Sequence, residues 1–176
     1  YSFDYEIYEF KVNTKNFSSY DFEKKIGFNK HFAYARLFLA DILPKKVKKI
    51  LYIDCDTVVL RSLHDLYNID IAKFPLAAVE DYCSEHYKKK YSLNKYFNSG
   101  VLLINLDHWR LFECSRHLTN FLNVEKNYLD FGDQCALNIF FKNKILEVDS
   151  RWNNQIFDGH KNKTPINNSS VLHWIG

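Results

Sequence analysis

Four short apolar runs decide what this chain can fold into: Ile50–Ile53, Leu76–Val79, Val101–Ile104 and Val171–His173. Each is strand-length, and each is read as a buried strand. Segments with helical spacing lie between them. His31 to Leu43 carries Phe32, Ala35, Leu39 and Ile42 at near-helical intervals, and Pro44 closes it. Asp107 is the expected N-cap of a long helix with Leu111, Cys114, Leu118, Phe121 and Leu122 on one face. A third helix is expected from near Asp133, turning Ala136, Leu137, Phe140 and Phe141 inward. Strands alternating with helices predict an α/β domain on a mostly parallel sheet flanked by helices. At 176 residues the chain fits a single domain over 1–176.

Composition narrows the function. Aromatic residues make up 17% of the chain, which points first to a bulky core and only secondarily to a ring-stacking platform. The net charge of +3 is a small difference between 24 basic and 21 acidic residues, so it does not imply nucleic acid. Basic residues cluster at Lys45, Lys46, Lys48 and Lys49 and at Lys88–Lys90. Such runs are expected as solvated loops or strand flanks, and they could also support peripheral membrane association. The four cysteines contain no C-x-x-C pair, so neither a zinc knuckle nor a disulfide framework follows. Reduced, mostly buried thiols in a reducing compartment are expected. No apolar stretch reaches membrane-span length and the first residues form no signal peptide, which gives a cytoplasmic expectation.

In parallel α/β sheets, ligands bind beyond the carboxyl ends of the strands. The polar residues there are Asp54 and Asp56, Glu80 and Asp81, and His173 with Gly176; Asn98, Ser99 and Gly100 enter the fourth strand and Asn105 ends it. In an extended chain residues i and i+2 share a side, so Asp54 and Asp56 should converge. Two close carboxylates repel unless a cation sits between or beside them, and hard oxygen ligands suit Mg²⁺ or Mn²⁺. The plainer alternative is a turn in which both aspartates cap backbone amides. Asp54–Val58 also resembles the haloacid dehalogenase-type phosphatases, whose first aspartate is a nucleophile and second a general acid. That family needs a further lysine and a later Gly-Asp-x-x-x-Asp, and Leu137 stands where its last aspartate belongs.

A longer ordered series runs through Tyr34–Leu37, Leu51–Asp56, Tyr96–Asn105, Gly132–Gln134, Trp152–Asn153 and Leu172–Gly176. It resembles the family 8 glycosyltransferases, which include bacterial lipopolysaccharide galactosyl- and glucosyltransferases. The resemblance implies a GT-A fold, a UDP-sugar donor, Mn²⁺ or Mg²⁺ as cofactor, and retention of anomeric configuration. It also implies a glycan or lipopolysaccharide acceptor and action at the inner face of a membrane. By motif, Asp54, Asp56 and His173 would bind the metal. Arg36, Asp54, Asn98, Ser99, Gly100, Asp133, Gln134 and Gly176 would line the donor. Asp133 and Gln134 would flank the anomeric carbon, and Asp81 would lie near the acceptor hydroxyl. The family also has an apolar first strand and a later Lys-Pro-Trp segment that this series lacks, so the domain is expected to be incomplete at both ends. A catalytically silent sugar-binding module is the remaining alternative.

Overall fold

A computed structural model describes residues 34–125, 128–157 and 164–175. A 3-10 turn at Arg36–Phe38 continues into α1 (Leu39–Ile42), followed by β1 (Lys49–Ile53), β2 (Thr57–Val59), α2 (His64–Tyr67) and β3 (Leu76–Glu80). Next come α3 (Ser84–Tyr91), β4 (Phe97–Asn105), α4 (Leu106–Leu111), α5 (Cys114–Glu125) and α6 (Gly132–Phe140). The short strands β5 (Leu146–Glu147), β6 (Asn154–Ile156) and β7 (Val171–Trp174) complete it. The α/β expectation holds, and all four expected strands are present.

The strands form one sheet in the order β1-β4-β3-β5 and a smaller one in the order β2-β7-β6. The expectation of mostly parallel pairing needs correction. Among the described residues, β4 pairs antiparallel with both β1 and β3, and β2 with β7, while only β3–β5 and β6–β7 are parallel. The cause is the link between β3 and β4. Glu80 at the end of β3 pairs with Phe97 at the start of β4, so the chain turns through α3 without crossing back and β4 must run the other way.

β4 is the centre of the molecule, and nearly all of it is buried. Its side chains alternate between two faces. Leu102 and Ile104 join Leu37, Ala40, Trp109, Leu118, Ala136 and Leu137 under the helices. On the other face, Val101 packs with Leu66, Val79, Trp152 and Val171, and Leu103 packs with Ile71 and Ala77. Burial of each such aliphatic side chain contributes about 1.5–3 kcal/mol.

The helices depart from expectation in one place. The N-cap of α4 is Asn105, not Asp107: its Oδ1 accepts from the His108 amide at 3.0 Å. The expected long helix is two, broken where Glu113 takes φ 46°. The break rotates Leu111 off the core face and leaves it 75% exposed, while Cys114, Leu118 and Leu122 stay buried on α5. α6 begins at Gly132, as expected, and packs Ala136, Leu137 and Phe141 into the core. The expected helix from His31 begins outside the described residues; the part within them tightens to 3-10 geometry and ends before Pro44. Cys114 and Cys135 are buried but Cys55 and Cys83 are exposed, which corrects the expectation of mostly buried thiols. Among the described residues no helix is long and apolar enough to cross a membrane.

Candidate active site

The reversal of β4 builds the site. Because β4 starts where β1 and β3 end, Asn98, Ser99 and Gly100 lie level with Asp54 and Asp81: Ile53 pairs with Val101 and Glu80 with Phe97. Asn105 is carried to the opposite edge and takes no part. The small sheet supplies the other side. β7 runs antiparallel to β2 with His173 opposite Thr57, and the Trp174 amide donates to the Asp56 carbonyl at 3.1 Å. His173 is thereby set beside the acidic turn.

Asp54, Asp56 and His173 each offer a ligand atom, and these atoms lie within 4.8 Å of one another. The convergence has a different origin from the one expected of an extended chain. Residues 54–56 form a turn between β1 and β2, held by Thr57 Oγ1 donating to the Asp54 carbonyl at 2.8 Å. The carboxylates face Arg36, Tyr52 and His173 rather than capping backbone amides. His173 Nε2 stands 3.2 Å from Asp56 Oδ1. Burial lowers the His173 pKa below its ordinary value against the upward pull of Asp56. A neutral imidazole beside two carboxylates, one exposed and one half-buried, is a donor set that fits a divalent cation of the Mn²⁺ type.

Arg36 is 4% exposed and neutralises two carboxylates at once. One terminal nitrogen donates to Asp54 Oδ1 at 2.9 Å, the other to the Ser99 carbonyl, and Nε stands 3.1 Å from Asp133 Oδ2. The guanidinium also lies over the Tyr52 ring, 4.5 Å from its centre. Burial pushes the Asp133 pKa up from 3.8 to about 6, against the lowering by Arg36 and with further raising by Asp54.

Beyond Arg36 a polar network fills the space between β4 and α6. The Ser99 amide donates to Gln134 Oε1 at 2.9 Å, and Gln134 Nε2 donates to Asp81 Oδ2 at 3.1 Å. Asp81 Oδ2 also accepts from Asn98 Nδ2 at 3.1 Å, while its Oδ1 accepts from the Cys83 amide at 2.9 Å. Asn98 Oδ1 accepts from both the Gly100 amide (2.9 Å) and Asn153 Nδ2 (2.8 Å). Asn153 Oδ1 lies 3.0 Å from His173 Nδ1. Asp54, Asp56, His173, Arg36, Asp133, Gln134, Asn98, Ser99, Gly100 and Asp81 therefore form one contiguous constellation. Gly176 lies outside the described residues.

Tyr52 and Asn153 were not assigned a role from sequence, and Gly100, expected to line the donor, has a steric one as well. Tyr52, two residues before Asp54 and on the same strand, donates its hydroxyl to Asp54 Oδ1; period-two spacing was the available signal. Asn153 is 1% exposed, and a polar residue directly after a buried Trp152 marked it. Gly100 matters because a Cβ there would sit 2.1 Å from His173 Cε1, so the glycine makes room for the imidazole. Trp109 and Trp152 are buried in the core, whereas Trp174 is 46% exposed.

The sequence matches the glycosyl transferase family 8 profile over residues 1–176. The chain belongs to glycosyl transferase family 8. General stress protein A of Bacillus subtilis is 35% identical over 162 residues, covering 82% of this chain. A putative glycosyltransferase of Haemophilus influenzae is 37% identical over 139 residues, covering 76% of this chain. The crystal structure of galactosyltransferase LgtC with donor and acceptor sugar analogues superposes with a TM-score of 0.76 at 29% identity, over 95% of this chain. The chain spans 57% and 42% of the two relatives' lengths and 66% of LgtC. The fold of this family 8 chain is accordingly GT-A. Membership also leaves the phosphatase alternative unfavoured, and the geometry agrees. Asp54 Oδ1 is engaged by both Arg36 and Tyr52, which suits a held ligand better than a free nucleophile.

Proposed function

We propose that this family 8 domain is a metal-dependent, retaining hexosyltransferase that moves galactose or glucose from a UDP-sugar to a glycan acceptor such as lipopolysaccharide, at the cytoplasmic face of a membrane. The observation that carries it is the placing of three ligand atoms within 4.8 Å beside the Asn98–Asp133–Gln134 wall. The likeness to LgtC, whose structure holds donor and acceptor sugar analogues, supports the assignment of donor and acceptor.

Asp54, Asp56 and His173 would hold Mn²⁺ or Mg²⁺, which when bound offsets the charge developing on the diphosphate leaving group. Every other role falls to side chains. Arg36 fixes the Asp54 carboxylate and, through Ser99, the start of β4. Gln134, expected beside the anomeric carbon, has its carbonyl oxygen turned to the Ser99 amide and its nitrogen to Asp81. An amide is a poor nucleophile, and the Asp133 carboxylate is tied to Arg36. We therefore favour front-face displacement. The bond from the anomeric carbon to the UDP oxygen breaks, the acceptor oxygen attaches on the same face, and its proton passes to a phosphate oxygen. Gln134 lines the opposite face of the oxocarbenium-like sugar, and Asp81, at the far end of the network, orients the acceptor hydroxyl.

Calorimetry tests the reading directly. UDP should bind in the presence of Mn²⁺, and binding should be lost in Asp54→Asn and in Asp56→Asn. Equal UDP affinity with and without metal would overturn it.

A further inference from the structure

The hydrogen-bond chain that ends on His173 has a fixed polarity. The Gly100 backbone N–H can only donate, so the Asn98 atom that it meets at 2.9 Å is the acceptor Oδ1. The other end of Asn98 agrees, because its Nδ2 points at the Asp81 carboxylate at 3.1 Å. Asn98 Oδ1 must then be met by a donor from Asn153, which is Nδ2 at 2.8 Å. That leaves Asn153 presenting Oδ1, which only accepts, to His173 Nδ1 at 3.0 Å. A proton on Nδ1 is the one arrangement that satisfies the contact. In a neutral imidazole the other nitrogen, Nε2, then carries the lone pair, and Nε2 is the atom that faces Asp56.

We propose that Asn153 is a positioning residue: it locks His173 in the Nδ1–H tautomer and so aims the Nε2 lone pair at a cation shared with Asp56. The proposal rests on the metal-binding reading above and assigns a role to a residue outside the ligand set. Three features make Asn153 suited to it. It is 1% exposed, so water does not compete for Nδ1. It closes the short 3-10 turn Ser150–Asn153, anchored by Asp149 Oδ1 accepting from the Arg151 amide at 2.9 Å. The polarity of its amide is set through Asn98 by the Gly100 backbone N–H, which is fixed in β4 and cannot flip without breaking the strand. Partners of this kind behind a metal-bound histidine set ring orientation and ligand basicity.

The test uses the intact protein with ¹⁵N-labelled histidine, first free of metal at mildly alkaline pH and then titrated with Mn²⁺ alone by calorimetry. In the parent protein, Nδ1 should give the protonated signal and Nε2 the unprotonated one. Asn153→Leu keeps the volume but removes the acceptor, so the Nδ1–H preference should be lost and Mn²⁺ affinity should fall about 10–100-fold. Asn153→Asp keeps an acceptor at Nδ1 and should retain the tautomer, which separates hydrogen bonding from packing should the leucine variant fail to fold. A parent spectrum with the proton on Nε2, an Asn153→Leu protein still protonated at Nδ1, or an Asn153→Asp protein protonated at Nε2 would each overturn the proposal. The expected spectra together with no Mn²⁺ binding by the parent would uphold the tautomer assignment and sink the metal-binding reading instead.

Discussion

Gly100→Ala isolates the tightest steric demand of the site. Gly100 does not adopt a left-handed backbone, so alanine costs nothing in conformation there and the effect is purely one of space. Its Cβ would lie 2.1 Å from His173 Cε1, 2.7 Å from Nδ1 and 2.9 Å from Nε2. Carbon atoms in contact sit about 3.5–4.0 Å apart, so the ring must retreat by roughly 1.5 Å. It has little freedom to do so, being held at 3.0 Å by Asn153 and facing Asp56 at 3.2 Å. Overpacking of this kind costs about 1–3 kcal/mol, which for a chain of this size lowers the melting temperature by about 2–12 °C. The displaced Nε2 no longer meets the carboxylates, and Mn²⁺ affinity should fall by at least about tenfold. Differential scanning calorimetry and Mn²⁺ titration measure the two effects. The decisive step is the cycle with His173→Ala: removing the ring should relieve most of the stability cost of alanine at position 100. An unchanged cost in that background, or Mn²⁺ binding by Gly100→Ala equal to the parent's, would refute the reasoning.

Three further outcomes are expected. Arg36→Leu strands two half-buried carboxylates and should cost about 2–4 kcal/mol in urea unfolding, whereas a surface ion pair would cost under about 1 kcal/mol. Asp133 should make the protein less stable as pH rises from its ordinary value of 3.8 to about 6, because the unfolded chain ionises there while the folded one keeps its proton. The change is on the order of 3 kcal/mol, and the difference between parent and Asp133→Asn across that window measures it. Leu118→Ala on the buried face of α5 should cost about 2–5 kcal/mol, but Leu111→Ala, 75% exposed, should stay within about 0.5 kcal/mol; equal losses in thermal unfolding would contradict the broken helix.

Much of this was legible in the residues. The strands announced themselves through apolar runs, and the site residues through their positions at strand ends. What failed was direction. Nothing in Phe97–Asn105 says which way β4 runs, because a strand buried on both faces reads the same in either sense. The orientation is set by a short excursion through α3 that returns at the same edge, a tertiary fact with no local signature. The break at Glu113 was hidden for a similar reason: glutamate is a good helix former, so nothing local marks it as the residue that takes φ 46°. Arg36 was assigned to the donor from its motif; that it also holds Asp54, Asp133 and the Ser99 carbonyl had no local signal. Asn153 had no legible role because its task depends on orientation relative to residues 55 and 20 positions away in sequence.

The nine residues of β4 fasten the hydrophobic interior and the chemistry to a single register. A slip by one position would throw Leu102 and Ile104 to the wrong side of the sheet and, in the same motion, carry Asn98 and Gly100 out of alignment with Asp81 and His173. The apolar packing acts as the alignment gauge for polar groups at the strand's mouth. Substitutions deep beneath the sheet should therefore be felt first as imprecision at the proposed cation site and only later as loss of the fold.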